Sequence, residues 1–199
     1  MRVCILERAV HGEKFWRITA LSAEEGAVSC LLRQGSKKTG TIVPDLFDEA
    51  EITLERRKAG TEGALFVKEY ALVARRSGIS GNYDGLVFAS RFAGILARNA
   101  FPPDARAAVF SVSRSAFRAF SEKPRKDAAF FKALWLFARE CGLPAREDWF
   151  ERLAFDDKLS VSAVLRAPLE EASVPAREVA RLAGQLERWL AREHDFVIP

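Results

Sequence analysis

The segment AEITLER, residues 50–56, sets the fold of the first half of the chain. Its apolar residues Ile52 and Leu54 alternate with polar ones, which is the pattern of an antiparallel strand with one buried and one solvated face. Four further short segments are rich in β-branched, aromatic or leucine residues, and polar or glycine-bearing connections separate them. These segments are residues 3–10, 15–21, 27–32 and 65–74. The sequence therefore predicts five strands before residue 75.

The connections between these segments suggest how the strands are arranged. Residues 23–26 and 58–63 read as hairpin turns, whereas the longer link over 34–48 does not. Five antiparallel strands with one long excursion suit a small Greek-key barrel of the OB type. An SH3-like barrel is the alternative.

After residue 81 the apolar period lengthens from two toward 3.6, which predicts helices. The expected helices cover 82–99, 104–120 with Asp104 as N-cap, 124–142, 147–153 and 175–193, while 155–172 shows no clear pattern. Ser77–Gly81 contains two glycines and two serines and reads as a joint. The predicted class is α+β with two domains, an OB-fold domain over 1–78 and an all-α domain over 79–199.

Composition is that of a soluble globular protein, with 49% apolar residues, 29% charged residues and a net charge of +4. The basic excess lies in the middle, because residues 79–126 carry eight basic and three acidic side chains. Three widely separated cysteines in apolar surroundings favour free thiols and a cytoplasmic location. Glu7 and Arg8 make the N-terminal apolar run too short for a signal peptide or a membrane span.

The basic loop Arg33–Gly40 nearly spells a nucleotide-binding P-loop, since Gly35 and Gly40 have the required spacing. Thr41 and Ile42 stand where that motif needs Lys followed by Ser or Thr, so ATP binding is not expected. The loop can instead lay cationic side chains along a phosphate chain, with hydroxyl groups as minor donors. The residues predicted to do so are Arg33, Ser36, Lys37 and Lys38; a solvated turn is the alternative.

Further cations extend this candidate DNA-binding surface. In the barrel they flank strand ends, and in the helices they gather near the end of the second helix. The predicted contacts are Lys14, Arg17, Arg56, Arg57, Lys58, Arg75, Arg76, Arg114, Arg118, Lys123, Arg125 and Lys126. Phe15 and Trp16 are the aromatic residues best placed to stack on bases, although core packing is the more common role of such rings.

Residues with the chemistry of an active site are sparse. His11 and His194 are the only histidines, and neither lies near a cysteine or a carboxylate pair at metal-ligand spacing. No residue set offers a nucleophile with its base. We therefore expect no enzyme activity, no metal and no cofactor.

The succession of motifs along the chain resembles the RecO family of bacterial recombination mediators. The resemblance is best over residues 1–74 and covers most of the chain in general shape, including Ala138–Leu143 in the helical half. The segments that carry it are Ile5–Arg8, Gly12–Lys14, Glu25–Gly26, Arg33–Lys38, Pro44–Phe47 and Glu51–Glu55.

The resemblance implies an OB fold followed by helices, with no active site. It implies binding of single- and double-stranded DNA, strand annealing, and assistance to RecA loading together with RecR and single-stranded DNA-binding protein. Arg33, Lys37 and Lys38 match the family's basic loop. Many relatives hold zinc through four cysteines in the C-terminal half, but this chain has only Cys141 there, so no zinc is expected.

The second hypothesis is a protein-interaction adaptor with an OB-like barrel and little affinity for nucleic acid. The mild charge and the short C-terminal half motivate it. Under the mediator hypothesis, an exposed groove in the helical domain, lined by apolar side chains and rimmed by arginine, is where the tail of single-stranded DNA-binding protein is expected to bind.

Overall fold

The computed structural model describes residues 1–34, 43–56 and 64–199. Within them the five predicted strands are confirmed to within one or two residues. They are β1 (Arg2–His11), β2 (Phe15–Ser22), β3 (Gly26–Arg33), β4 (Glu49–Arg56) and β5 (Leu65–Ala74). They close into a barrel in the order β1-β2-β3-β5-β4, with β4 pairing back to β1.

One strand pair departs from the predicted antiparallel arrangement. β3 and β5 run parallel, with Cys30 opposite Leu65 and Leu31 opposite Phe66. The other four pairs are antiparallel. Five strands cannot alternate in direction all the way around a closed barrel, so at least one neighbouring pair has to be parallel.

The alternation of side chains along the strands builds the barrel interior. Val3 and Ile5 of β1, Ile18 of β2 and Ile52 of β4 point inward and are buried. The predicted hairpin at 23–26 is confirmed, and Gly26 takes a φ of 73°, which favours glycine. The predicted hairpin over 58–63 lies outside the described residues. The strands before and after it, β4 and β5, pair in antiparallel orientation.

Helices make up the second half of the chain. They are α1 (Ser77–Ser80), α2 (Tyr83–Arg98), α3 (Arg106–Glu122), α4 (Lys126–Glu140), a π-helical turn (Ala145–Phe150), α5 (Phe155–Arg166), a 3₁₀ turn (Leu169–Glu171) and α6 (Ala176–Glu193). Asp104 is not the N-cap of α3, because Ala105 holds that position and donates its N–H to Pro102 O. None of the described helices is long and apolar enough to cross a membrane.

The barrel and the helices are joined by a second hydrophobic core. The phenylalanines of α2, α3 and α4 form its centre, and Cys4, Leu6, Leu21 and Phe47 of the barrel half pack into it. The predicted joint at Ser77–Gly81 is largely helical, and its Ile79 is buried. The predicted domain boundary between residues 78 and 79 therefore falls inside α1, at a packed junction.

Candidate nucleic-acid interface

The predicted contacts Ser36, Lys37 and Lys38 of the basic loop, and Arg57 and Lys58 after β4, lie outside the described residues. The remaining predicted contacts divide into two groups. One group is exposed and free of ion pairs with described residues, and the other is bound to carboxylates or backbone carbonyls; Lys126, which is buried, belongs to neither.

Two members of the first group, Arg17 and Arg33, lie on the outer side of β2 and β3. Phe15 is opposite Arg33, and Arg17 is opposite Leu31. Cross-strand partners point to the same side of a sheet, so these four side chains share one surface, which we call the β2–β3 face. Phe66 of β5 borders it, with its ring 5.8 Å from that of Phe15. The β2–β3 face thus combines two exposed guanidinium groups with half-buried apolar side chains.

The turn between β1 and β2 is tied to one end of this face. Gln34 donates its backbone N–H to Lys14 O at 2.8 Å and its side-chain amide to Phe15 O at 3.2 Å. Lys14 is therefore held beside the end of β3 that carries Arg33. Arg56 is also exposed, at the end of β4. Within the described part of the chain, Lys14, Arg17, Arg33 and Arg56 form no ion pair.

Phe15 and Trp16 take different environments because successive strand residues point to opposite sides. Phe15 lies on the β2–β3 face. Trp16 packs against the barrel interior cluster and is half-buried, and the Arg8 guanidinium lies 4.9 Å from its ring centroid. Of the two candidate stacking residues, Phe15 is the one on the outer face.

The second group of predicted contacts surrounds two adjacent buried carboxylates, Asp48 and Glu49. Arg75 donates to both oxygens of Asp48, at 3.3 and 3.0 Å, and to Val43 O. This hydrogen bonding raises the pKa of Arg75. Arg76 donates to Glu49 Oε2 at 2.9 Å. The charges of Arg75 and Arg76 are thus compensated by two buried carboxylates.

Glu49 binds two further arginines. Arg2 Nε of β1 and Arg114 Nε of α3 lie 2.7 and 2.6 Å from Glu49 Oε1. Neither Nε–H is aligned for a hydrogen bond with that oxygen, so the attraction is mainly between charges. We call Arg2, Glu49, Arg76 and Arg114 the junction cluster. No pattern in the sequence predicted that Asp48 and Glu49 pair with these arginines.

The cations near the end of α3 are also mostly engaged. Arg125 donates to both oxygens of Asp127 and to Val174 O, and Lys123 lies 2.5 Å from Glu170. Lys126 is buried, which lowers the pKa of its amine. Arg118 is exposed without an ion pair among the described residues. That any of these residues contact DNA stays a prediction.

A groove of about 450 Å³ opens in the helical half. Its walls are mainly apolar side chains from α4, the loop after α4, the π-helical turn and α5, and three arginines and the carboxylate of Glu147 also line it. The apolar residues are Trp135, Leu143, Phe150 and Leu165, and the arginines are Arg139, Arg146 and Arg166. Arg139 pairs with Glu140, while Arg146 and Arg166 form no ion pair with described residues. We call this the helical groove.

Metal-binding and nucleophilic groups do not converge in the described residues. No three side chains of His, Cys, Asp or Glu there lie close enough to hold a metal ion. Burial raises the pKa of each thiol, Cys4, Cys30 and Cys141, to about 12. These cysteines are consequently protonated at neutral pH and poor nucleophiles.

In comparisons with known proteins, no protein-family model and no curated protein sequence matches this chain.

Proposed function

We propose that this protein is a DNA-binding recombination and repair mediator of the RecO type, acting in the cytoplasm without bond chemistry. The observation that carries the proposal is the closed five-stranded barrel with the order β1-β2-β3-β5-β4, whose β2–β3 face is basic and partly aromatic. This strand order favours an OB fold over an SH3-like barrel. OB folds bind oligonucleotides on the face of strands 2 and 3.

The β2–β3 face has the chemistry of a single-strand binding surface. Arg17 and Arg33 offer guanidinium groups to phosphates, and Phe15 offers a half-buried aromatic ring to a base. Lys14 extends the surface at the β1–β2 turn. Binding through such contacts is insensitive to base sequence and weakens steeply with salt.

Fluorescence anisotropy of labelled single-stranded DNA, duplex DNA and RNA, each at two salt concentrations, tests this function. The double variant Arg17→Glu/Arg33→Glu should lose most of the affinity for single-stranded DNA in low salt. Arg177→Glu/Arg192→Glu, which reverses two exposed arginines of α6 and so changes the net charge equally, is the matched control and should bind normally. Absence of binding by the unchanged protein in low salt would favour the adaptor alternative.

The helical groove supports the partner part of the proposal. Large apolar walls with an arginine rim suit an acidic peptide that buries an apolar side chain, the chemistry we propose for the tail of single-stranded DNA-binding protein. Arg146→Ala should weaken binding of that peptide in titration calorimetry, and Arg177→Ala should not. Equal binding by both variants would exclude the groove.

Annealing and RecA loading complete the proposed activity. If the barrel binds one strand and the groove holds the tail of single-stranded DNA-binding protein, the protein can bring a coated strand to its complement. RecR is the proposed partner in loading RecA. An annealing assay on coated strands should show acceleration that requires both Arg17 and Arg146. Acceleration that survives either Arg17→Glu/Arg33→Glu or Arg146→Ala would separate annealing from the corresponding surface.

A further inference from the structure

A cleft of about 470 Å³ lies between the outer side of the barrel and α2. Its barrel wall includes Glu7 of β1 and Arg17 and Thr19 of β2. Its helical wall includes Ser90, Gly94 and Arg98. Because these three are spaced four residues apart, they lie along one face of α2. We call this space the barrel–α2 cleft.

The small residue Gly94 lets Arg98 and Pro199 pack closely on this wall of α2, where Gly94 itself is buried. Ser90 is exposed, and Gly94 has no side chain. A Cβ atom at Gly94 would lie 2.8 Å from Arg98 Nη1 and 2.7 Å from Pro199 Cγ. The α2 side of the cleft therefore presents the exposed Ser90 at one end, and Arg98 and Pro199 over Gly94 at the other.

The positive charge of the cleft is only loosely compensated. Arg98 Nη1 lies 3.6 Å from Glu7 Oε1, and both side chains are 46% exposed. An exposed pair at that distance contributes little to stability. Arg17 forms no ion pair among the described residues. Arg8 also lines the cleft, but it donates to Pro44 O and lies 3.8 Å from Asp45. Arg17 and Arg98 thus share one carboxylate, Glu7, which itself accepts a hydrogen bond from the Thr19 hydroxyl at 3.2 Å.

Arg17 belongs to both the β2–β3 face and the barrel–α2 cleft. The β2–β3 face and the cleft are therefore continuous at Arg17. By contrast, Arg75, Arg76 and Arg114 are already paired with Asp48 or Glu49.

We propose that the barrel–α2 cleft binds the phosphodiester backbone of a single DNA strand leaving the β2–β3 face, with Arg17 and Arg98 contacting neighbouring phosphates. This inference rests on the proposed DNA-binding function. It adds Arg98 to the binding surface and directs the strand over α2.

Thiol protection tests whether DNA enters the cleft. The variant Ser90→Cys places a thiol on the exposed wall of α2, where the uncharged reagent iodoacetamide can reach it at pH 8. The native thiols react slowly there, because burial raises the pKa of each to about 12. Saturating oligothymidylate should slow alkylation of the introduced thiol severalfold. An unchanged rate, with binding verified by anisotropy on the same sample, would overturn the inference.

Affinity as a function of oligonucleotide length provides the second readout. Arg98→Ala should bind short oligothymidylates like the unchanged protein and lose affinity only once the strand is long enough to leave the β2–β3 face. The slope of log affinity against log salt should fall by about 0.7, because the variant neutralises one phosphate fewer. Arg177→Ala, which also removes one positive charge, is the control.

The two proposals fail in different ways. If the unchanged protein binds no DNA, the proposed function itself is wrong. If the unchanged protein binds and Arg17→Glu/Arg33→Glu abolishes binding, but Arg98→Ala has no effect at any length, only the inference about the cleft is wrong.

Discussion

Glu49 Oε1 lies 2.6 Å from Arg114 Nε, so a carboxylate at the beginning of β4 is bound by an arginine from the middle of α3. Arg2 of β1 and Arg76 after β5 bind the same carboxylate. The Glu49 side chain is only 3% exposed, whereas those of Arg2 and Arg114 are about 40% exposed. The junction cluster therefore connects the barrel to the helices through ion pairs with one buried carboxylate.

Removing that charge should destabilise the protein. Glu49→Ala leaves three guanidinium groups together without an anion, and Arg76 among them is largely shielded from water. We expect the free energy of unfolding to fall by about 3 kcal/mol. This value is at the lower end of the range for breaking a buried ion pair, because two of the three arginines reach solvent. Urea unfolding measures it. Glu51→Ala, at an exposed position of the same strand, should cost less than about 0.5 kcal/mol; equal losses would contradict the role of the cluster.

The junction at α1 should be intolerant of added volume. A Cβ atom at Gly78 would lie 2.6 Å from the backbone oxygen of Ser121 in α3, so α1 would have to shift. Gly78→Ala should lower the free energy of unfolding by about 1–3 kcal/mol. At Gly81 the nearest atom would be 3.8 Å away and φ is −79°, so Gly81→Ala should be neutral or slightly stabilising. Thermal denaturation of the two variants, compared with each other, tests whether the junction is packed.

Arg125 should matter for stability and not for DNA affinity. It donates to Asp127, to Val174 O and to Ala172 O, and so holds the chain before α6 against the start of α4. Arg125→Ala should cost about 1.5–3 kcal/mol of unfolding free energy, the range for hydrogen bonds to charged groups. Its DNA affinity, measured below its unfolding transition, should be unchanged. A severalfold loss of affinity in the folded variant would restore Arg125 to the DNA-binding surface.

The barrel was predictable because each strand carries its own signal. The alternation around Ile52 and the glycine at the β2–β3 turn are local features, and the structure places both as expected. The parallel pairing of β3 with β5 was missed because no local pattern encodes which strands become neighbours. It follows from closing an odd number of strands.

The helical half shows the limit of periodicity. The segment after Leu153 gave no clear pattern, yet it contains α5. Phe155 and Leu159 of that helix are 73% and 55% exposed, while only Val161 and Val164 are buried. A helix whose apolar residues lie on both the solvent and the core side has no amphipathic stripe to detect.

The state of each cation was the least predictable part of the candidate site. Arg75 and Asp48 are 27 residues apart in the chain, and Lys123 and Glu170 are 47 apart. Sequence analysis identifies a basic residue but not the distant carboxylate that folding places beside it. The number of basic residues in a sequence therefore exceeds the number of cationic side chains that remain free to bind phosphates.

Cys30 provides a pH test of the barrel interior. Burial raises the pKa of its thiol to about 12, whereas a thiol in the unfolded chain ionises near pH 8.5. Above about pH 8.5 the unfolded state loses this proton and the folded state keeps it, so the stability contributed by Cys30 is complete at lower pH and is lost as the pH rises toward 12.

The variant Cys30→Ala lacks this pH dependence. The difference in unfolding free energy between the unchanged protein and the variant should therefore shrink by about 2 kcal/mol between pH 8 and pH 10. Urea unfolding at the two pH values gives this difference directly, and the cost of the cavity left by the variant cancels because it is the same at both. A difference that stays constant would mean that the Cys30 thiol ionises as readily in the barrel as in the unfolded chain.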